Sequence, residues 1–256
     1  MVISKCHLCD KIKDLQKSHV WSKFAYKRFA ADLSNGGRFA DLFIQRLSNN
    51  QYTRYWFCAD CEQILSTSEG EAAKLCSRIE ADPEAEQAYD ESLLRFATSI
   101  SWRTLKAFTE DEDSGAIRSR WKAYNRWKRY LRGSRPGINP YTQHVFVVID
   151  KAHGLDKALG GRLVPELSLV LSQIGPLFIV GQLNPSRLSI DEERTWRNSK
   201  LRATGGTISL VKKWKTGTKD PATNNITREF LELMVGHELY AMQAAVSGNW
   251  EGKKKR

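Results

Sequence analysis

Two Cys-x-x-Cys pairs constrain this chain more than any other feature: Cys6-His7-Leu8-Cys9 near the start and Cys58-Ala59-Asp60-Cys61 further on. A two-residue gap lets both thiolates of a pair reach one metal from a tight turn. Two such pairs complete a tetrahedron of the kind a structural zinc ion takes. A redox dithiol, or buried cysteines with no ligand role, are the alternatives. Neither pair is expected to lie between a strand and a helix as thioredoxin-like motifs do, so zinc is the expected cofactor and Cys6, Cys9, Cys58 and Cys61 its expected ligands. Four thiolates leave no need for His7 or His19 at the metal. The fifth cysteine, Cys76, lies in a segment of helical composition and reads as a core residue.

The N-terminus shows no apolar stretch with a cleavage site, which places the expected location in the reducing cytoplasm, where metal binding prevails over disulfides. No apolar run approaches a membrane span, so no membrane partner is expected. The formal net charge of +11 points to polyanions, nucleic acid first among them. Acidic residues concentrate in residues 80–91 and in Glu110-Asp111-Glu112-Asp113, so the field is polarised.

The order of motifs adds a family resemblance. Cys6-His7-Leu8-Cys9, then Ser18-His19-Val20-Trp21-Ser22-Lys23-Phe24-Ala25-Tyr26, then Cys58-Ala59-Asp60-Cys61-Glu62, with Leu94-Arg95-Phe96-Ala97 and Ser101-Trp102-Arg103 beyond, resembles bacterial proteins with an HNH-like treble-clef zinc module. The resemblance covers about the first 105 residues. It implies that His19 would act as general base on a phosphodiester while a second, divalent metal such as Mg²⁺ neutralises the phosphate. It also implies DNA in preference to RNA, and a role in bacterial defence. The chain departs from the pattern at Ser18, where the family has Asp or His, and at Glu62, where it often has His or Asn. Thr53 and Arg54 stand where the central asparagine usually falls, and Asn49 and Asn50 lie farther upstream. Glu62, with Asp60 or Glu71, would then have to hold the second metal. Two functions therefore stay open: an HNH-type nuclease using His19 and Glu62, and a noncatalytic zinc module that binds nucleic acid or a protein partner. In the second, the His19 ring packs against the zinc turn.

Periodicity supplies the remaining elements. An amphipathic helix is expected from Ser18 or Ser22 to Leu33, a strand from Tyr52 to Phe57, a helix from Glu62 to Ile79 and a buried helix through Leu93, Phe96, Ile100 and Leu105. Residues 110–115 read as an exposed acidic loop and helix start. Residues 116–132 form the clearest basic helix, interleaving Ile117, Trp121, Tyr124 and Leu131 with Arg118, Arg120, Lys122, Arg126, Lys128 and Arg129. These six cations are the candidate nucleic-acid contacts, with Trp121 and Trp127 available to stack on bases or to anchor the helix. A core helix with a solvated cationic face is the alternative.

Gly133 to Pro140 is the expected linker. Beyond it, strands are expected at residues 144–149, 177–181 and 207–214, with 167–171 ambiguous between strand and helix and a helix over 227–245. Asp150, His153, Asp156 and His237-Glu238 could build a second site, but nothing in the sequence fixes their geometry. The expected fold class is α+β: an N-terminal treble-clef zinc module over 1–80, a helical extension over 81–133, a C-terminal α+β domain over 141–250 and a basic tail over 251–256. No phosphate loop, nucleophile elbow or HExxH motif occurs.

Overall fold

The computed structural model describes residues 1–30, 39–41, 46–48, 50–82, 90–110, 114–148, 157–165, 168–184, 200–203 and 206–214. It is an α+β structure in which helices lie beside two sheets. The smaller sheet has the order β1-β2-β5, with β1 (Ile3–Lys5) and β5 (Thr53–Cys58) both antiparallel to β2 (Ile12–His19). α1 (Lys23–Ala30) follows β2, and α2 (Ala59–Ala81) runs directly out of β5. The strand over residues 12–19 is not signalled by hydropathy: only Leu15 and Ser18 are buried along it, and half the strand faces solvent.

The larger sheet has eight strands in the order β10-β11-β6-β9-β8-β7-β3-β4. Its centre is an antiparallel run of β6 (Gln143–Val148), β9 (Leu177–Gln182), β8 (Leu169–Ile174) and β7 (Leu159–Val164). β3 (Phe39–Asp41) and β4 (Arg46–Ser48) extend one side, and β11 (Gly206–Trp214) and β10 (Lys200–Ala203) the other. The ambiguous stretch 167–171 thus contributes a strand from Leu169, buried at every position of β8. The strand over residues 159–164 escaped prediction because Gly160 and Gly161 break its apolar pattern. The expected helix 227–245, the candidate second site and the basic tail lie outside the described residues.

α3 (Glu91–Thr109) forms the centre of the molecule. It starts at Asp90, whose side chain accepts from the Ser92 amide at 2.8 Å, the usual way of satisfying an otherwise orphaned helix donor. It packs against α2, α4 (Ser114–Leu131) and the large sheet. Its face toward the sheet is made of small polar residues. Ser101 donates to Gln143 Oε1 at 2.7 Å, and Thr104 Oγ1 lies 2.9 Å from Ser172 Oγ and 3.2 Å from Trp21 Nε1.

Glycines let the helix come close. A Cβ placed on Gly181 would lie 2.7 Å from Ser101 Oγ, and one on Gly161 would lie 2.6 Å from the Leu171 carbonyl oxygen and 2.9 Å from Thr104 Cγ2. These pairings offset much of the cost of placing the hydroxyls and Gln143 Oε1 in the interior, while Gln143 Nε2 is buried without a partner. A single apolar core runs from Cys6 and Leu8 through Phe57, Phe96 and Trp102 to Val145, Val170 and Ile179.

Candidate metal centre

The two Cys-x-x-Cys motifs are brought together by different local structures. The first occupies the turn between β1 and β2. There the Cys6 amide donates to the Lys11 carbonyl at 2.8 Å and the Asp10 amide to the Cys6 carbonyl at 2.9 Å, and Asp10 takes a left-handed φ of 65° to close the turn. Contrary to the expectation from sequence, the second straddles a strand-to-helix junction: Cys58 ends β5 and is the residue preceding α2, and Cys61 lies in the first turn of that helix. The case for a metal therefore rests on the convergence of all four sulfurs and not on that context. The His7 amide donates to the Trp56 carbonyl at 2.9 Å and pins the two motifs face to face.

The four sulfurs lie within 4.8 Å of one another, and Cys9 Sγ is 3.9 Å from Cys58 Sγ. With a Zn–S bond of ~2.3 Å, a regular tetrahedron has sulfurs roughly 3.8 Å apart, so the cluster is already near the size of a ZnS₄ site. It can hold a metal ion, and the four-thiolate donor set suggests zinc. The Cys58 amide donates to Cys6 Sγ at 3.4 Å, and such amide donors stabilise thiolates. Burial acts to raise the Cys6 thiol, but the amides of Cys9, Cys58 and Leu8 outweigh it and leave Cys6 below its ordinary range. Burial drives the Cys58 and Cys61 thiols up; the Cys6 sulfur reinforces both, the Cys58 and Cys9 sulfurs add to the rise at Cys61, and the Cys61 amide and sulfur partly offset it at Cys58. Four such groups ionise together only when a dication compensates their charge.

Around His19 the arrangement is different. His19 ends β2, opposite Thr53, with Nε2 at 2.8 Å from Gln51 Oε1 and its ring 5.5 Å from that of Tyr26. Its carbonyl accepts from Arg103 Nη1 at 3.0 Å, and Arg103 in turn pairs with Glu69 at 2.6 Å in a setting where the arginine is almost fully buried. Ser18 is buried and donates to the Gln16 carbonyl. Glu62 keeps one carboxylate oxygen shielded from solvent without a hydrogen-bond partner. Asp60 pairs with Lys13 at 2.5 Å and Glu71 with Lys74 at 2.8 Å. Among the described residues, the four cysteines are the one group of three or more His, Cys, Asp or Glu side chains placed to share an ion. Asn49 lies outside them.

No protein-family model, curated protein or solved structure matches the chain.

The basic helix α4 divides its circumference by function. Ala123, Trp127, Tyr130 and Leu131 are buried and hold the helix to the core. Lys128 and Arg132 face the first Cys-x-x-Cys, donating to Asp10 at 2.7 and 3.3 Å. On the remaining arc, Lys122, Arg126 and Arg129 line an open cleft of about 320 Å³ with Trp121, Asn125, Arg135 and Tyr141. Arg120 is half-buried, and the side chain of Arg118 lies outside the described residues. Sequence reasoning missed Arg135 and Tyr141, because both fall in or just after the segment expected to be a linker. The chain is turned back there by Gly133, whose φ of 73° suits a helix end, and is tied down where Trp127 Nε1 donates to the Tyr141 carbonyl at 2.9 Å. That long-range contact, with the Ser134 amide donating to the Arg129 carbonyl at 3.0 Å and Ile138 buried in the core, brings the two residues to the cleft.

Proposed function

We propose that the protein binds nucleic acid along α4 without cutting it, and that a zinc ion held by Cys6, Cys9, Cys58 and Cys61 serves as scaffold. The supporting observation is the cleft. Four cations, Lys122, Arg126, Arg129 and Arg135, converge on it, with no carboxylate among the described residues that line it. A concave, cationic surface on a chain of net charge +11 favours a phosphate backbone by counterion release. The hairpin turn facing a helix N-terminus is read as a treble-clef module. With four thiolates its metal has no open position for chemistry.

The noncutting reading rests on His19. Its ring is occupied by Gln51 and Tyr26, and the described residues gather no set of three ligands around it for a catalytic cation. Its role is to fix the end of β2.

The test is binding of a labelled oligonucleotide by the full chain across roughly 50–200 mM salt. Affinity should fall steeply. Replacing Lys122, Arg126 and Arg129 by alanine should reduce the slope of log K against log salt by about 2. Salt-insensitive affinity, or an unchanged slope in the triple variant, would sink the proposal. Incubation with Mg²⁺ or Mn²⁺ should yield no cleavage products. Products that vanish in His19→Ala would establish a nuclease instead.

A further inference from the structure

The cleft carries more information than its charge. Trp121 is 52% exposed, unusual for the largest apolar side chain on a helix whose other tryptophan, Trp127, is fully buried. Its indole is nevertheless held in place. It stacks on Tyr124 with centroids 5.4 Å apart and planes 10° from parallel. Tyr124 leans on Trp102 at 5.2 Å, and Trp102 stacks on Phe57 at 5.7 Å. The column thus runs from the core strand β5 to the surface and ends on a half-exposed indole whose one ring contact among the described residues is Tyr124. Stacking positions the ring beforehand, so a guest would lose little side-chain entropy in using it.

From this we infer that the cleft takes single-stranded nucleic acid, with one unpaired base stacked on the outer face of Trp121 and the flanking phosphates held by the cations. The inference rests on the nucleic-acid reading above and names its substrate class. Three features of the cleft support it. Every nucleobase presents a π-face, and an exposed, supported aromatic ring beside a cationic track is the arrangement by which proteins hold single strands. On an α-helix, Trp121, Lys122, Asn125, Arg126 and Arg129 fall within an arc of about 140°, so ring and cations serve one ligand. Asn125 sits one turn from Trp121, with a carboxamide that can both donate to and accept from the edge of a stacked base.

A duplex would satisfy the cations but not the ring, because its bases are already stacked on one another. A cleft of about 320 Å³ is at the small end of pockets that enclose a ligand. It therefore suits one nucleotide unit with its chain entering and leaving, and its openness to solvent leaves room for that chain.

The experiment compares a mixed-sequence single-stranded oligonucleotide, its blunt duplex and a free mononucleotide, each titrated against the full zinc-loaded chain. The single strand should bind at least about tenfold more tightly than the duplex, and the mononucleotide should compete only weakly. Trp121→Ala should weaken single-strand binding about tenfold and duplex binding less than about twofold, and Trp121→Phe should restore most of the loss. Zinc content and circular dichroism should be unchanged, since the indole is half-exposed.

Equal affinity for both strand forms, or a Trp121→Ala variant that weakens both alike, overturns this inference and leaves the backbone-binding proposal standing. Binding of neither form removes both. Mononucleotide affinity equal to that of the oligonucleotide overturns the strand assignment in favour of a free nucleotide. The ratio between strand forms is measured on the unmodified protein, so it decides the question even if the alanine variant folds poorly.

Discussion

Asp10, in the turn of the first Cys-x-x-Cys, accepts a hydrogen bond from Lys128 of α4 at 2.7 Å, although 118 residues separate them in sequence. Arg132 donates to the other carboxylate oxygen at 3.3 Å, and Lys5 approaches at 3.6 Å. A charge at the rim of the metal turn thus fixes the last turn of the helix that carries the cleft. Because the carboxylate is substantially exposed, the link is worth only a little. Asp10→Asn should retain zinc and fold while losing about 1 kcal/mol or less in urea denaturation. A loss several times larger would show that the pair is the principal tie between turn and helix.

Removing the metal should have a far larger effect than removing that ion pair. The cysteine cluster closes β1, β2, β5 and α2 around itself, and without a dication burial favours the protonated form of the Cys58 and Cys61 thiols. Cys58→Ser, or treatment with a strong chelator, should abolish stoichiometric zinc by elemental analysis. Stability should drop by several kcal/mol, on the order of 5 or more, seen as loss of the cooperative thermal transition. Full retention of that transition in zinc-free protein would refute a structural role.

The close seating of α3 on the large sheet gives a prediction with an internal control. Gly161→Ala brings a methyl against a backbone carbonyl at 2.6 Å, which cannot yield without shifting the strand. Gly181→Ala meets mainly the Ser101 side chain at 2.7–2.9 Å and the edge of Trp127 at 2.9 Å. Both should destabilise by about 1–3 kcal/mol, with Gly161→Ala the more costly. Denaturation midpoints of the two variants test the order.

Glu110 should give the protein part of its acid sensitivity. Burial acts to raise its carboxyl. The hydrogen bond from Trp56 Nε1 at 3.0 Å, Lys106 at 3.2 Å and Arg54 at 3.6 Å outweigh burial and hold it below the ordinary glutamate range. A carboxylate whose folded pKa is depressed contributes stability that is present above its unfolded pKa, about 4.3, and is lost as pH falls through the folded value. Wild type should therefore lose more stability than Glu110→Gln between roughly pH 5 and pH 3. The difference between the two proteins is the measure, since zinc release at low pH affects both alike. Parallel pH profiles would refute the assignment.

The metal cluster was legible in the sequence because two-residue spacing is itself a geometric instruction, carried by Cys6, Cys9, Cys58 and Cys61 alone. α2, α3 and α4 were legible for a related reason: their apolar positions recur at helical intervals. β2 was not, since its residues mostly face water and its place is set by pairing with β5. The acidic run read as solvated loop begins with Glu110, which instead accepts from an indole and a lysine. No local pattern reveals that, because Trp56 lies 54 residues away. The cleft was half legible: its helical wall showed as interleaved cations and aromatics, while Arg135 and Tyr141 depend on Trp127 drawing the following segment back.

The glycine seats under α3 also bear on how such a chain can drift. Position 161 faces a main-chain atom that no substitution elsewhere removes, so it should stay glycine through any neutral wandering that keeps the fold. Position 181 faces the side chains of Ser101 and Trp127, so its freedom is tied to theirs. A lineage that first trades Ser101 for glycine, giving up the hydroxyl that bonds Gln143, removes two of the three close contacts at 181 and leaves only the Trp127 edge at 2.9 Å to shift, whereas the reverse order meets all three at once. History at these two sites should therefore be directional.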